Sequence, residues 1–116
     1  MTRYNDAKSL LYQKPEDIMK IRPRELASFL LLLSAKECGM ILEKIDDLGF
    51  YTRAIAELIS KNPKKVVTII CKYYISLERF TKIAEDIFPL KRELLLNVAE
   101  GKDKETLRRL FILKVL

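Results

Sequence analysis

The stretch Ser34-Ala-Lys-Glu-Cys-Gly-Met-Ile-Leu-Glu-Lys-Ile45 decides the fold class of this chain. Ser34 followed by Glu37 is the pattern of a capping box, in which the serine hydroxyl accepts a hydrogen bond from a backbone N–H group and the glutamate reaches back. The apolar residues then recur at the spacing of one helix face: Cys38, Ile41, Leu42 and Ile45. A helix start followed by this period predicts an amphipathic helix.

Prolines mark further helix starts on both sides of this stretch. Pro15, Pro23, Pro63 and Pro89 each precede a run of good helix formers, and proline is tolerated in the first turn of a helix. The apolar spacing between these marks stays helical, and no convincing strand period remains. The pattern predicts an all-α chain of short stacked helices over residues 5–13, 15–21, 23–33, 35–46, 50–61, 63–75, 77–87, 89–100 and 103–115.

The helix punctuation also repeats along the chain. Pro63 lies 40 residues after Pro23, and Pro89 lies 40 residues after Gly49. A period of about 40 residues with three helices per unit lies in the range of armadillo and HEAT arrays. It predicts a small armadillo- or HEAT-like right-handed superhelix in a single domain over 1–116, with units at 23–62 and 63–101 and a capping helix at each end. The alternative is that two helical hairpins align by chance on their apolar period.

The segment that begins Ile21-Arg-Pro-Arg-Glu-Leu-Ala-Ser-Phe-Leu30 and continues into the capped helix resembles a known kind of helical unit. Over residues 21–59 it is similar to the armadillo-like units of the flagellar switch protein FliG and of the N-terminal domain of MgtE-type magnesium channels. The resemblance implies a superhelix that works by binding. The flagellar protein has a histidine-containing polar motif before the proline, whereas this chain has Arg22 and Arg24, so its partner-contacting residues do not carry over.

The composition argues against catalysis. The chain has 116 residues, 49% of them hydrophobic and 33% charged, which is normal for a globular domain. It has no histidine, and two cysteines alone cannot form a four-cysteine zinc site. The glycine-rich sequences that cradle nucleotide phosphates are absent. The sequence therefore predicts a protein that is not an enzyme and that has no cofactor and no metal site.

The N-terminal sequence, the length of the apolar runs and the cysteines bear on the compartment of the protein. The N-terminus has no apolar segment of the secretory type, and the longest fully apolar run, Phe29 to Leu33, is far shorter than the roughly 20 residues of a membrane helix. These features predict a soluble, cytoplasmic protein that does not contact a membrane. Cys38 and Cys71 both fall among apolar residues, which predicts two buried, reduced thiols. The alternative is a single disulfide.

Basic residues gather in three clusters in the C-terminal half. The net charge is +6, which favours acidic partners such as nucleic acid or an acidic protein face. If the fold brings the clusters onto one edge, they form a strip that contacts the phosphates of DNA or RNA. The alternative is solubilising charge scattered over the surface. The candidate phosphate contacts are Lys61, Lys64, Lys65, Lys91, Arg92, Lys102, Lys104, Arg108 and Arg109.

The last predicted helix is apolar around much of its circumference. An end unit of a stacked array normally turns a polar face to water. The apolar pattern of this helix predicts instead that a protein partner or a second copy of the chain covers its outer side. The alternative is that the N-terminal residues Leu10, Leu11, Ile18 and Met19 cover it. The candidate interface residues are Leu110, Phe111, Ile112, Leu113, Val115 and Leu116.

The sequence thus predicts a non-catalytic helical binding module that acts as an adaptor or as a small subunit of a larger assembly. The alternative is a nucleic-acid-binding protein that contacts phosphates through its C-terminal basic clusters.

Overall fold

The computed structural model describes residues 2–73, 79 and 86–115, and every regular element in that part of the chain is a helix. The prediction of an all-α fold is confirmed. The predicted helix over 77–87 falls mostly outside the described residues. In chain order the elements are α1 (Thr2–Ser9), a 3₁₀ helix (Leu10–Tyr12), α2 (Pro15–Ile18), α3 (Pro23–Leu30), α4 (Ala35–Glu43), α5 (Leu48–Lys61), α6 (Pro63–Lys72), α7 (Phe88–Val98) and α8 (Gly101–Val115).

The helix starts follow the signals in the sequence. Ser34 and Glu37 form the predicted capping box, in which the Glu37 amide donates to the Ser34 hydroxyl at 3.1 Å and the Ser34 amide donates to the Glu37 carboxylate at 3.1 Å. Helix α5 begins two residues earlier than predicted because the Asp47 carboxylate accepts a hydrogen bond from the Phe50 amide at 2.9 Å. Asn62 caps α6 in the same way, through the Lys65 amide.

The helices pack on alternate neighbours as well as on sequential ones. Helix α3 packs on α5 and α4 packs on α6, while α6 also contacts α5, α7 and α8. The body measures 41 × 26 × 20 Å. Its core runs through α3, α4, α5 and α6. The armadillo- or HEAT-like superhelix with its repeat stays a prediction.

A lysine closes the C-terminal end of α3. The ammonium of Lys65 donates hydrogen bonds to the carbonyl oxygens of Leu30, Leu31 and Leu33 at 3.3, 3.0 and 2.6 Å. The last carbonyls of a helix have no N–H partner within the helix and carry a partial negative charge, so a cation there is stabilising. This contact joins the first turn of α6 to the end of α3.

Two further cations act in the same manner. Lys44 donates to the carbonyl oxygens of Leu11 and Gln13, at 2.5 and 3.2 Å, where the 3₁₀ helix ends. Arg79 donates to the carbonyl oxygen of Leu42 at 2.7 Å, near the end of α4. Helix ends that lie far apart in the sequence are therefore held together by long basic side chains.

The two cysteines differ in burial. Both are free thiols. Cys38 is fully buried and donates to the carbonyl oxygen of Leu30 at 3.0 Å, which confirms the prediction for this residue. Cys71 is only half-buried and donates to the carbonyl oxygen of Asp103 at 3.6 Å. Within the described part of the chain, no helix has both the length and the apolar character needed to cross a membrane.

Candidate binding surfaces

The first candidate surface consists of apolar side chains that helices α7 and α8 expose. On α7, Leu95 points into the core, whereas Leu90 is 83% exposed and Leu94 is 38% exposed. Leu90 and Leu94 lie four residues apart and therefore on one stripe of the helix. On α8, Ile112 is 54% exposed. We call Leu90, Leu94 and Ile112 the C-terminal apolar residues.

The predicted interface residues of α8 divide between core and surface. Phe111 is buried, and the guanidinium of Arg92 lies 5.1 Å from the centre of its ring. Leu110 is half-buried, while Ile112 points outward. The side chains of Leu113, Val115 and Leu116 lie outside the described part of the structure. Of this predicted set, Ile112 is thus the described residue whose side chain is exposed.

The cover of α8 comes mainly from its neighbours in the stack. Helices α6 and α7 pack on α8 and enclose Leu107 and Phe111. Of the N-terminal residues named as an alternative cover, Leu10 and Leu11 lie in the 3₁₀ helix, which packs on α4. Sequence spacing could not decide this, because it does not give the order in which helices stack.

Leu90 and Leu94 were not among the predicted interface residues. The available signal was the run Leu94-Leu95-Leu96. Successive residues of a helix point about 100° apart, so three consecutive leucines cannot all face one core. The structure resolves the run into an exposed Leu94, a buried Leu95 and a half-buried Leu96.

The three basic clusters do not meet at one corner of the fold. Lys61 and Lys64 lie where α5 passes into α6. The contact between Cys71 and Asp103 places the start of α8, with Lys102 and Lys104, beside the opposite end of α6. The ten residues of α6 correspond to a length of about 15 Å. A phosphate-binding strip over both clusters therefore has to run along the length of α6.

Lys91 and Arg92 form the remaining predicted cluster, on α7, whereas Arg108 belongs to the predicted cluster of Lys102 and Lys104. Arg92 stacks on Phe111, and Arg108 precedes Phe111 by one helical turn. Lys91 and Arg92, near the start of α7, thus lie towards the C-terminal half of α8, where Arg108 also lies. They are separated along α8 from Lys102 at its start.

The cations also differ in what they contact. The Lys65 ammonium is engaged by the carbonyl oxygens at the end of α3, so it belongs to the fold. Five other predicted residues are exposed and form neither an ion pair nor a contact with an aromatic ring among the described residues: Lys61, Lys64, Lys102, Arg108 and Arg109. We call these five the exposed basic residues, and they form the second candidate surface.

Comparisons of this chain with protein-family models, with curated proteins and with solved structures returned no match.

Proposed function

We propose that this protein is a non-catalytic helical binding module, an adaptor or a small subunit of a larger assembly, whose protein partner binds through α7 and α8. The observation that carries the proposal is the exposure of Leu90, Leu94 and Ile112. Full burial of one such side chain is worth roughly 1.5–3 kcal/mol, so covering two or three of them gives a substantial drive for association. The armadillo-like stacking is part of the same proposal, and the packing of alternate helices supports it.

The charge around this surface favours an acidic partner. Residues 89–116 contain seven basic and four acidic residues, and the whole chain carries a net charge of +6. A partner with an apolar stripe flanked by carboxylates matches this surface in both respects. A second copy of this basic chain does not, because the two copies repel each other at low salt.

Variant pairs test the proposal in a native extract and then with the purified partner. Leu32→Glu is the control, because Leu32 is a leucine elsewhere in the fold that is 42% exposed. The wild-type chain and this control are expected to retain the same specific protein. Leu90→Glu and Leu94→Glu are expected to lose it, because a carboxylate on the stripe repels an acidic partner and interrupts the apolar contact. Circular dichroism of each variant checks that the helices are intact.

Three results of this experiment decide the matter. Loss of the same protein with Leu90→Glu but not with Leu32→Glu, together with weaker retention at high salt, supports the acidic partner. Equal retention by all variants contradicts the proposal. Sedimentation that shows a dimer in the wild type and a monomer in Leu90→Glu replaces the acidic partner by a second copy.

A second candidate function is the binding of nucleic-acid phosphates, favoured by the five exposed basic residues without ion pairs. Fluorescence anisotropy with single- and double-stranded DNA and with RNA at low salt tests it. Binding is expected to weaken as salt rises, and Lys64→Gln, Arg108→Gln and Arg109→Gln are each expected to weaken it further. Lys20→Gln is the control, because Lys20 lies in the N-terminal part and pairs with Asp17. Absence of binding at tens of micromolar protein contradicts this function.

A further inference from the structure

A cleft at the N-terminal part of the chain is lined by three arginines. Its volume is about 350 Å³, and Arg3, Arg22, Arg24, Glu25 and Ser28 line it. Arg3 comes from α1, Arg22 immediately precedes α3, and the other three residues lie on α3. Three guanidinium groups and one carboxylate give the lining a net charge of +2. The cleft is separate from the α7–α8 surface, so the inference below does not depend on the proposed function.

Contacts of α1 fix the position of Arg3. Its guanidinium lies 5.3 Å from the centre of the Phe29 ring. Lys8 forms an ion pair with Glu37, which ties α1 to α4. A guanidinium that stacks on an aromatic face keeps its N–H donors directed outward in its own plane. The stacking therefore orients Arg3 and leaves its donors able to bind a ligand.

Arg22 and Arg24 are exposed and form no ion pair with any described residue. The Ser28 hydroxyl donates a hydrogen bond to the carbonyl oxygen of Arg24 at 3.2 Å, within the same helix. Arginine matches phosphate oxygens with two parallel N–H groups, which makes it the preferred residue for this anion. Two unpaired guanidinium groups beside a third, stacked one form a set of donors for several oxygens of one anion.

We propose that this cleft binds a compact phosphate group, either a phosphomonoester or a pyrophosphate. The volume lies near the lower end of the range for small-molecule sites. No aromatic side chain lines the cleft, so it offers no stacking platform for a base. A phosphomonoester dianion has three terminal oxygens and about two negative charges near neutral pH. It complements three guanidinium groups better than the single charge of a backbone phosphodiester.

Titration calorimetry with inorganic phosphate, pyrophosphate and a phosphoserine peptide tests the proposal on the full chain. Arg22→Gln and Arg24→Gln are each expected to weaken binding roughly tenfold, as the loss of one charge-assisted hydrogen bond requires. Glu25→Gln is expected to tighten binding, because it removes the one carboxylate in the cleft. Arg53→Gln is the matched control, since it removes the same charge from an exposed position on α5 outside the cleft.

The outcomes are distinct. A phosphoserine peptide that binds more tightly than both free anions, while its unphosphorylated form does not bind, supports the proposal with a phosphorylated protein as the source. Tightest binding of pyrophosphate supports it with a free phosphate as the source. The proposal is overturned if none of the three binds at millimolar concentration. It is also overturned if Arg53→Gln weakens binding as much as Arg24→Gln, or if Glu25→Gln weakens it.

Discussion

Helices α5 and α7 are both rich in apolar residues, yet the chain uses them differently. Helix α5 buries seven of its 14 residues and packs on α3 and α6. Among the described side chains of α7, Leu95 is buried while Leu90 and Leu94 are exposed. Each helix contacts two others among the described residues, α5 with α3 and α6 and α7 with α6 and α8, but α5 turns more of its apolar side chains towards its neighbours. An apolar helix therefore forms core where its side chains face neighbouring helices and leaves apolar side chains exposed where they do not.

Phe111 and Ile112 provide the most severe test of this comparison. They are adjacent on α8, but Phe111 is 3% exposed and Ile112 is 54% exposed. Phe111→Glu is expected to destabilise the protein by more than about 4 kcal/mol, since it removes a buried aromatic side chain and introduces a charge into the core. Ile112→Glu is expected to leave the stability nearly unchanged. Urea denaturation followed by circular dichroism measures both.

The two variants also separate stability from association. If α7 and α8 bind a partner, Ile112→Glu loses the partner while the helices and the midpoint of denaturation are retained. Equal destabilisation by both substitutions contradicts the division of α8 into a buried and an exposed face.

The two cysteines allow the core to be compared with the junction between α6 and α8. Cys38 lies in the core, and Cys71 lies at the junction. Burial raises the pKa of Cys38 and of Cys71 from about 9 to about 11 in each case. At pH 8 the thiolate fraction is therefore roughly a hundredfold lower than in an ordinary cysteine. Burial raises the pKa of both thiols in the same direction, so the main expected difference between them is access, and Cys71 is expected to react faster than the fully buried Cys38.

Labelling of the native protein with a thiol reagent, read out by mass spectrometry of the two peptides, measures this difference. Both rates are expected to rise with pH up to about 11, because the raised pKa values leave the thiols protonated below that pH. Faster reaction of Cys38 than of Cys71 disagrees with the burial of Cys38 against the end of α3. Unfolding in denaturant is expected to make the two rates similar.

Lys65 and Lys64 are adjacent lysines with different surroundings. Lys65→Met keeps the aliphatic stem but removes the ammonium that binds three carbonyl oxygens at the end of α3. The expected loss of stability is about 2 kcal/mol, typical of hydrogen bonds to a charged group. Lys64→Met removes the same charge from an exposed position and is expected to change the stability by less than about 0.5 kcal/mol.

Thermal melts of the two lysine variants provide the measurement. A lower melting temperature for Lys65→Met alone supports the assignment of Lys65 to the fold. Equal melting temperatures mean that the α3 end is satisfied by water. In that case Lys65 returns to the set of candidate phosphate contacts.

Local signals in the sequence predicted the local structure. The Ser34 and Glu37 pair and the prolines act within one helical turn, so their effect on helix starts could be read directly from neighbouring residues. The contacts made by Lys65 and Lys44 could not be predicted in this way, because they connect residues more than 30 positions apart. Nothing in the sequence around these lysines distinguishes them from exposed ones such as Lys64.

The candidate surfaces were predicted only in part for the same reason. The run of apolar residues from Leu110 to Leu113 indicated that some of them face outward. Which ones do so depends on the rotation of α8 against α6 and α7, which is a property of tertiary packing. The arginine cleft likewise requires Arg3 to reach α3 across the fold, and no spacing in the sequence shows that approach.

Gly101 offers the smallest and most local test, at the joint between α7 and α8. Its φ is +54°, in the left-handed region, and a Cβ atom placed there has no neighbour within 4 Å. Substitution by alanine therefore adds no clash, and its expected cost of about 1 kcal/mol comes from the backbone alone. Asparagine adopts this region more readily than alanine, so Gly101→Asn is expected to cost less than Gly101→Ala. Urea denaturation of both variants measures the difference.

Equal losses for alanine and asparagine mean that something other than φ sets the requirement for glycine. A larger loss for alanine than for asparagine shows that the left-handed φ of Gly101 sets the requirement for glycine at the joint between α7 and α8.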